Sequence, residues 1–256
     1  MRLSIVQSRL HWESPAANRD MFAEKLKPLS GGTDLIVLPE MFTTGFTMNA
    51  AALAEPQDGP TQTWMQEQAA QTGAALAGSF ICVEEGRYYN RLLFVKPDGS
   101  VGIYNKRHLF SLAGEHRTYN PGWENARLEW QGWRIRPLIC YDLRFPVWCR
   151  NEKSNPFDLL LFVANWPVTR VAHWSALLNA RAIENQAFVA GVNIFGQDGA
   201  GLNYSGESAV IDFSGQTLGR ISDQEGVFTA ELSLDKLRNY RLQFPFLADA
   251  DIFRLP

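Results

Sequence analysis

Cysteine and histidine are scarce in this 256-residue sequence, which excludes several classes of protein. The three cysteines, Cys82, Cys140 and Cys149, are too few and too widely spaced for a disulfide framework or a CxxC pair. The four histidines are scattered along the chain and match no zinc-ligand spacing. We therefore expect no bound metal and no cofactor, and the unpaired cysteines favour a reducing compartment.

Long apolar runs and basic clusters are also missing. No stretch approaches the length of a membrane span, and residues 1–7 are too short and too polar for the apolar core of a secretory signal. The net charge is −3, and no basic cluster interleaved with aromatic residues offers a surface for nucleic acid. We therefore expect a cytoplasmic protein that binds neither a membrane nor nucleic acid.

The residues that are plentiful indicate a well-filled core. Hydrophobic residues make up 46% of the chain and charged residues 20%, and there are eight tryptophans and sixteen phenylalanines. Helical and strand-like patterns alternate, with hairpins among them, and no linker, repeat or low-complexity segment interrupts them. We predict an α/β fold over residues 1–256, formed as a single domain in which outer helices cover the sheets.

Several predicted strands end on polar or reactive side chains. These are Glu40 after the apolar run 35–38, Lys106 after 101–104, Cys140 at the end of 136–140, and Asn165 and Trp166 after 159–163. Because the ends of neighbouring strands form the ligand sites of α/β sheets, we expect these side chains to converge in one crevice. Taken singly, each has an ordinary explanation, such as a helix cap, an exposed lysine or a buried structural cysteine.

The stretch 136–146 is the one most typical of an active site. After Arg136 it is apolar up to Cys140, and it then becomes charged before Pro146. A strand that delivers a nucleophile to a sharp turn has this pattern, with the reactive atom exposed beside backbone N–H groups. We interpret Cys140 as a catalytic nucleophile. Cys149 is expected to pack on a helix after this turn, and Cys82 to pack at the end of a strand.

Longer motifs surround the three reactive residues. They read Leu-Pro-Glu-Met-Phe at 38–42, Tyr-Asn-Lys-Arg-His-Leu-Phe at 104–110 and Ile-Cys-Tyr-Asp-Leu-Arg-Phe-Pro at 139–146. In sequence, order and spacing they resemble the glutamate, lysine and cysteine motifs of the nitrilase superfamily of carbon–nitrogen hydrolases. The similarity runs from the first strand to the C-terminal helix. It implies an α-β-β-α sandwich and an assembly of two or more subunits.

The resemblance also implies a role for each residue. A thiol of ordinary pKa, about 8.5, is mostly protonated at neutral pH, so Cys140 needs a base, which would be Glu40. Lys106 and the backbone N–H of Tyr141 would hold the oxyanion of the tetrahedral intermediate. Glu115 matches a second glutamate of the family, and we expect it to position Lys106 or the substrate amide.

The substrate class follows from a narrower resemblance. The cysteine motif and the segments 147–151, 164–167 and 180–186 are similar to those of bacterial Nit-type omega-amidases. That similarity implies hydrolysis of the distal amide of a small 2-oxo acid, 2-oxoglutaramate or 2-oxosuccinamate. The substrate carboxylate requires a local cation, for which Arg144, Arg170 and His173 are candidates. The residues expected to contact substrate are Phe42, Arg144, Asn165, Trp166 and His173.

Three other functions are left open by the sequence. The first is another nitrilase-superfamily activity, on an aliphatic amide, a carbamoyl amide or a nitrile. The second is a Cys–His hydrolase that pairs Cys140 with His108, His116 or His173, which the glutamate and lysine motifs disfavour. The third is a non-catalytic binding protein of the same fold, which the complete set of three reactive residues disfavours.

The resemblance further implies a homodimer. The predicted helix 173–186 carries Ala176, Ala180 and Ala182, and small side chains permit two helices to approach closely. Arg181 and Glu184 on the same helix are expected to form a structural ion pair.

Overall fold

A computed structural model of the chain describes residues 1–153 and 155–251. Within these residues, fourteen strands form two seven-stranded sheets. The strands are β1 (Arg2–Gln7), β2 (Leu35–Val37), β3 (Glu55–Pro56), β4 (Ala75–Glu84), β5 (Arg87–Val95), β6 (Val101–Asn105), β7 (Leu128–Trp130), β8 (Trp133–Ile139), β9 (Leu159–Val163), β10 (Phe188–Val192), β11 (Phe195–Gln197), β12 (Asn203–Ile211), β13 (Thr217–Ser222) and β14 (Gly226–Glu231). The α-helices are α1 (Pro15–Leu26), α2 (Ala50–Leu53), α3 (Pro60–Thr72), α4 (Glu115–Thr118), α5 (Val171–Asn185) and α6 (Leu234–Gln243).

Both sheets have parallel strands at the centre and antiparallel strands towards the edges. The first has the order β14-β1-β2-β4-β5-β6, with β3 beside β4, and its β1, β2 and β4 are parallel. The second has the order β11-β12-β10-β9-β8-β7, with β13 beside β12, and its β8, β9 and β10 are parallel. Parallel strands end at the same edge of a sheet, so the residues after β8, β9 and β10 are neighbours.

Alternating side chains place the helices outside the two sheets. In β2, Leu35 and Val37 belong to the core shared by both sheets, whereas Ile36 packs with Phe22 of α1 and Met65 of α3. Helices α5 and α6 cover the second sheet, where α5 contacts β10 and β12. This arrangement confirms the predicted α-β-β-α sandwich, because each sheet buries one face against the other sheet and one against helices.

Strand β14 and the segment that carries Cys149 are among the elements that differ from the sequence prediction. Strand β14 was not predicted, because its exposed and buried positions alternate on an edge strand with few large apolar residues. It pairs with β1 from Arg2 opposite Glu231 to Gln7 opposite Gly226. The helix expected to carry Cys149 is absent, since the chain makes only a 3-10 helix, Cys140–Arg144, and then a turn beginning at Pro146. Proline has no N–H to continue a helix.

The other cysteine predictions agree with the structure. Cys82 and Cys149 are fully buried free thiols, and the Cys149 thiol donates to the Asp142 carbonyl at 3.2 Å. Burial raises the pKa of Cys82 to about 11 and that of Cys149 to about 12. In the described part of the chain, no helix is long and apolar enough to cross a membrane. The same residues contain no group of three or more histidine, cysteine or acidic side chains arranged to hold a metal ion.

Candidate active site

Cys140 lies at a strained turn directly after β8. Its φ is +44°, in the left-handed region that costs a residue with a Cβ roughly 1–2 kcal/mol. Asp142 stabilises the turn, because its Oδ2 accepts from the Ile139 N–H at 3.0 Å and from the Tyr104 hydroxyl at 2.7 Å. The N–H of Tyr141 belongs to the first turn of the 3-10 helix, where backbone donors have no partner within the helix. The turn thus places a thiol beside a free backbone donor.

The histidines do not face this thiol. The other carboxylate oxygen of Asp142 accepts from the His108 N–H at 3.0 Å and lies 2.8 Å from the His108 Nδ1. The His108 ring stacks on Phe145 with the ring centroids 3.7 Å apart. His116 and His173 are exposed, and none of the four histidines, all within the described residues, lines the cavity that contains Cys140. The geometry therefore offers no support for a Cys–His pair.

Glu40 is presented by a second turn, after β2. Met41 has a φ of +44°, and its N–H donates to the Ser79 hydroxyl at 2.8 Å. The Glu40 side chain is fully buried, and both of its oxygens are hydrogen-bonded. Oε1 accepts from Lys106 Nζ and from Asn90 Nδ2, each at 2.8 Å, and Oε2 accepts from the Asn165 N–H at 2.8 Å. Three hydrogen-bond donors therefore fix the position of the Glu40 carboxylate.

Lys106 joins the two buried glutamates. It follows β6, and its Nζ lies 2.8 Å from Glu40 Oε1 and 3.0 Å from each oxygen of Glu115. All three side chains are fully buried. Burial opposes the charge, but the carboxylates of Glu115 and Glu40 together raise the pKa of Lys106 above its ordinary value. Lys106 is therefore an ammonium ion at neutral pH and cannot act as a base.

Burial raises the pKa of both the Cys140 thiol and the Glu115 carboxyl. Burial raises the pKa of Cys140 well above its ordinary value, the negative charge of Glu40 raises it further, and Lys106 opposes both. Burial likewise raises the pKa of Glu115, against the opposing charge of Lys106. Cys140 is consequently a protonated thiol at neutral pH, and a reaction at its sulfur requires a nearby base.

Cys140 and Lys106 line a cavity of about 260 Å³. Most of its wall is apolar or aromatic and includes Trp12, Phe46, Phe110, Trp166, Leu202 and Tyr204. Two guanidinium groups, those of Arg144 and Arg170, also line it. An apolar cavity with few polar groups is the usual form of a small-molecule site.

The expected substrate contacts divide into two groups. Arg144, Asn165 and Trp166 line the cavity. His173 does not, but its Nδ1 lies 3.2 Å from an Arg144 nitrogen. The prediction for Phe42 is wrong, because this residue is fully buried in the core away from the cavity. Its ring contacts Phe22 and Trp64 at centroid distances of 5.6 Å each, and the turn at Met41 directs it away from Glu40.

Sequence reasoning missed several residues that shape the site. Asn90 lies within β5 and donates to Glu40, and Asn193 follows β10 and binds the backbone of Trp166. Asp142 was part of the cysteine motif, but its role in the turn was not foreseen. No clear signal in the sequence marked Asn90, because β5 also carries Arg87 and Arg91.

The fold and the site together define a class of enzyme. A family model described as carbon–nitrogen hydrolase matches residues 2–242, so the chain belongs to the carbon–nitrogen hydrolase family. The family resemblance noted from the motifs is thereby confirmed. The family match ends at residue 242, so a single domain over residues 1–256 stays a prediction.

Curated relatives cover nearly the whole chain. Omega-amidase YafV of Escherichia coli (strain K12) is 48% identical over 256 residues, which is 100% of this chain and 98% of that protein. The 2-oxoglutaramate amidase of Bacillus subtilis (strain 168) is 34% identical over 253 residues, which is 96% of each chain.

Solved structures agree in fold. A CN-hydrolase superfamily protein from Xanthomonas campestris, with an arsenic adduct in its active site, has a TM-score of 0.98 at 50% identity and covers 100% of this chain and 99% of its own. An amidase from Nesterenkonia sp. AN1 has a TM-score of 0.84 at 26% identity and covers 96% and 98%. That amidase is a glutamate-to-glutamine mutant in which acrylamide has added to the active-site cysteine.

Proposed function

We propose that this protein is an omega-amidase, which hydrolyses the distal amide of 2-oxoglutaramate or 2-oxosuccinamate to the 2-oxo dicarboxylate and ammonia. The observation that carries the proposal is the buried contact of Glu40 with Lys106, next to the strained Cys140 and in reach of a cavity with two guanidinium groups. The names of the relatives from Escherichia coli and Bacillus subtilis support the same substrate class.

Acylation begins with the protonated thiol. Glu40 takes the proton of Cys140 as the sulfur attacks the amide carbonyl carbon, and the carbonyl electron pair moves to oxygen. When the tetrahedral intermediate collapses, the C–N bond breaks and Glu40 returns the proton to the leaving nitrogen. The products of this half-reaction are ammonia and a thioester on Cys140.

Deacylation reuses the same carboxylate. Glu40 takes a proton from a water molecule, and the oxygen attacks the thioester carbon. The second intermediate collapses with cleavage of the C–S bond, and the sulfur recovers its proton from Glu40. The acyl group leaves as a carboxylic acid, which gives up its proton in solution to become the carboxylate. One water is thus consumed for each amide hydrolysed.

Lys106 and the N–H of Tyr141 stabilise the negative oxygen in both intermediates. Lys106 suits this role because the glutamates keep it charged and buried, where a fixed charge acts strongly. One such donor contributes about 3 kcal/mol to transition-state stabilisation. Glu115 contacts the ammonium group with both oxygens, so its role is to hold Lys106 in place.

Arg144 is the proposed partner of the substrate carboxylate. Its guanidinium lies 4.8 Å from the centre of the Trp166 ring and is hydrogen-bonded to His173, so two neighbours fix its direction. In the described residues, neither Arg144 nor Arg170 forms an ion pair with a protein carboxylate. Asn165 holds Glu40 through two hydrogen bonds, and the ring of Trp166 packs against the Arg144 guanidinium.

A substrate panel tests the function. We expect 2-oxoglutaramate to be hydrolysed with a higher kcat/KM than glutamine or a simple nitrile, measured as ammonia release. Glutamine adds an ammonium group that the arginines repel, and a nitrile has no N–H for the buried carboxylates. Equal efficiency with an uncharged aliphatic amide would reduce the proposal to a general amidase.

Replacing Arg144 with alanine is expected to raise KM for 2-oxoglutaramate by about 10- to 100-fold. The reason is the loss of a charge-assisted hydrogen bond to the substrate carboxylate. An uncharged amide is the control substrate, for which KM should change little. Arg170→Ala is the comparison variant, in which KM should rise by a smaller factor because Arg170 is not bonded to His173. If KM rose equally for both substrates, Arg144 would have a packing role instead.

Two further predictions belong to this proposal. A homodimer is supported by the exposed side chains of Ala176, Ala180 and Ile183 on α5. Ala182 is fully buried in the core, so its expected place in such an interface is wrong. The homodimer and the cytoplasmic location stay predictions.

The ion pair expected between Arg181 and Glu184 is present, with Arg181 Nη1 2.9 Å from Glu184 Oε1.

A further inference from the structure

We propose that Asn193 is a positioning residue that fixes the backbone of Asn165 and Trp166 and, through it, the carboxylate of Glu40. Asn193 does not line the cavity, and none of its hydrogen bonds among the described residues is to Cys140. Its action on the reaction is therefore indirect. The inference rests on the proposed function for the role of Glu40 as base.

The side chain of Asn193 binds Trp166 in the way that a neighbouring strand would. Its Oδ1 accepts from the Trp166 N–H at 2.7 Å, and its Nδ2 donates to the Trp166 carbonyl at 2.9 Å. The same Nδ2 donates to the Gly206 carbonyl at 2.7 Å. Asn193 is fully buried, so all of these bonds are shielded from water. The amide replaces the backbone pairing that the chain loses where β9 and β10 end.

The residue fixed in this way is adjacent to the one that binds Glu40. The Asn165 N–H donates to Glu40 Oε2 at 2.8 Å, and its side-chain Nδ2 donates to the Glu40 carbonyl at 2.6 Å. Glu40 comes from the first sheet and Asn165 from the second. The position of the base relative to Cys140 thus depends on how firmly residues 165–166 are held to the second sheet.

Asn193 is itself anchored to both sheets. Its N–H donates to the Ser208 hydroxyl at 2.9 Å, and this hydroxyl donates to Gln7 Oε1 at 2.6 Å. Ser208 lies on β12 of the second sheet and Gln7 on β1 of the first. All three side chains are fully buried. A rigid polar network therefore leads from the sheet core to the base, which is what accurate placement of a reacting group requires.

Loss of this support has a consequence that can be measured. Without Asn193, residues 165 and 166 lose their bonds to the end of β10, and the Asn165 N–H is no longer held against the Glu40 carboxylate. A base that is less accurately placed slows the chemical step. Asn193 does not line the cavity, so a lower kcat with little change in KM reports on the lost support.

The chain contains a matched control at the other end of β9. Asn151 is also buried, with 3% exposure, and binds both backbone groups of Phe157. Its Oδ1 accepts from the Phe157 N–H at 3.0 Å, and its Nδ2 donates to the carbonyls of Phe157 at 3.1 Å and Asn185 at 2.9 Å. The bonding pattern is the same as that of Asn193. Phe157 precedes β9, whereas Trp166 follows it at the catalytic edge.

The test compares Asn193→Ala with Asn151→Ala in the full-length enzyme. Both should lower the Tm, because each removes three buried hydrogen bonds. Only Asn193→Ala should lower kcat, by about tenfold, while KM should change by less than about twofold in both variants. An unchanged kcat in Asn193→Ala, or an equal fall in kcat in Asn151→Ala, would overturn the proposal.

If an alanine variant does not fold, Asn193→Ser and Asn151→Ser replace the pair, and kcat should fall in Asn193→Ser alone, by less than the tenfold expected of the alanine variant. If wild-type enzyme hydrolyses another amide but not 2-oxoglutaramate, the omega-amidase proposal fails. The same kcat and KM measurements made with that amide then still decide the role of Asn193.

Discussion

Replacing Cys140 with alanine is expected to reduce amide hydrolysis by about 10⁴-fold or more, to the level of background. The reason is that the variant has no atom able to form the thioester, whatever the state of Glu40 and Lys106. The fold should persist, because Cys140 is half-buried at the cavity and alanine removes only the sulfur. Ammonia release and the Tm of the purified variant are the two measurements.

The other two cysteines provide the controls for this result. Cys82→Ala and Cys149→Ala should keep most of the activity and lose stability, because both thiols are fully buried packing groups. Their pKa values, raised to about 11 and about 12, also make them poor nucleophiles at neutral pH. Full activity in Cys140→Ala together with loss in Cys149→Ala would refute the assignment.

Replacing Glu40 with glutamine is expected to separate hydrolysis from thiol reactivity. Hydrolysis should fall by about 10²–10⁴-fold, because the base and acid are lost. The Cys140 pKa should fall, since the negative charge of Glu40 is one of the causes that raise it. A lower thiol pKa means more thiolate at a given pH, so the midpoint of iodoacetamide alkylation should move to lower pH.

Glu115→Gln is the matched comparison for this prediction. It also removes a negative charge that raises the pKa of Cys140, but this charge has a smaller effect than that of Glu40. The alkylation midpoint should therefore move in the same direction by a smaller amount. An alkylation midpoint that moves to higher pH in Glu40→Gln would contradict the electrostatic account of the site.

The main features of the fold and site were accessible to sequence reasoning for a physical reason. Glu40 and Cys140 each follow an apolar run that is buried inside a sheet, and Lys106 follows the apolar run of the edge strand β6. The alternation of helical and strand-like patterns likewise defined the layers. Reactive side chains at the ends of buried strands are visible because they contrast with what precedes them.

The rest of the site depends on contacts between distant segments. Asn193 acts on a residue 27 positions away, and the Asn165 N–H reaches Glu40 across 125 positions. Nothing in the local pattern around either asparagine specifies such a partner. Phe42 shows the converse error, because it belongs to the glutamate motif and was expected to contact the substrate. The left-handed turn at Met41, which a sequence does not reveal, sends its ring into the core.

Site-specific alkylation tests the central claim most directly. Wild-type enzyme is treated with iodoacetamide for increasing times, with and without 2-oxoglutaramate, and each sample is assayed and mapped by peptide mass spectrometry. Our account predicts one label per chain, on Cys140, formed in proportion to the activity lost and slowed by the substrate. Complete labelling of Cys140 with activity retained, or activity lost with the label on Cys82 or Cys149, would contradict it.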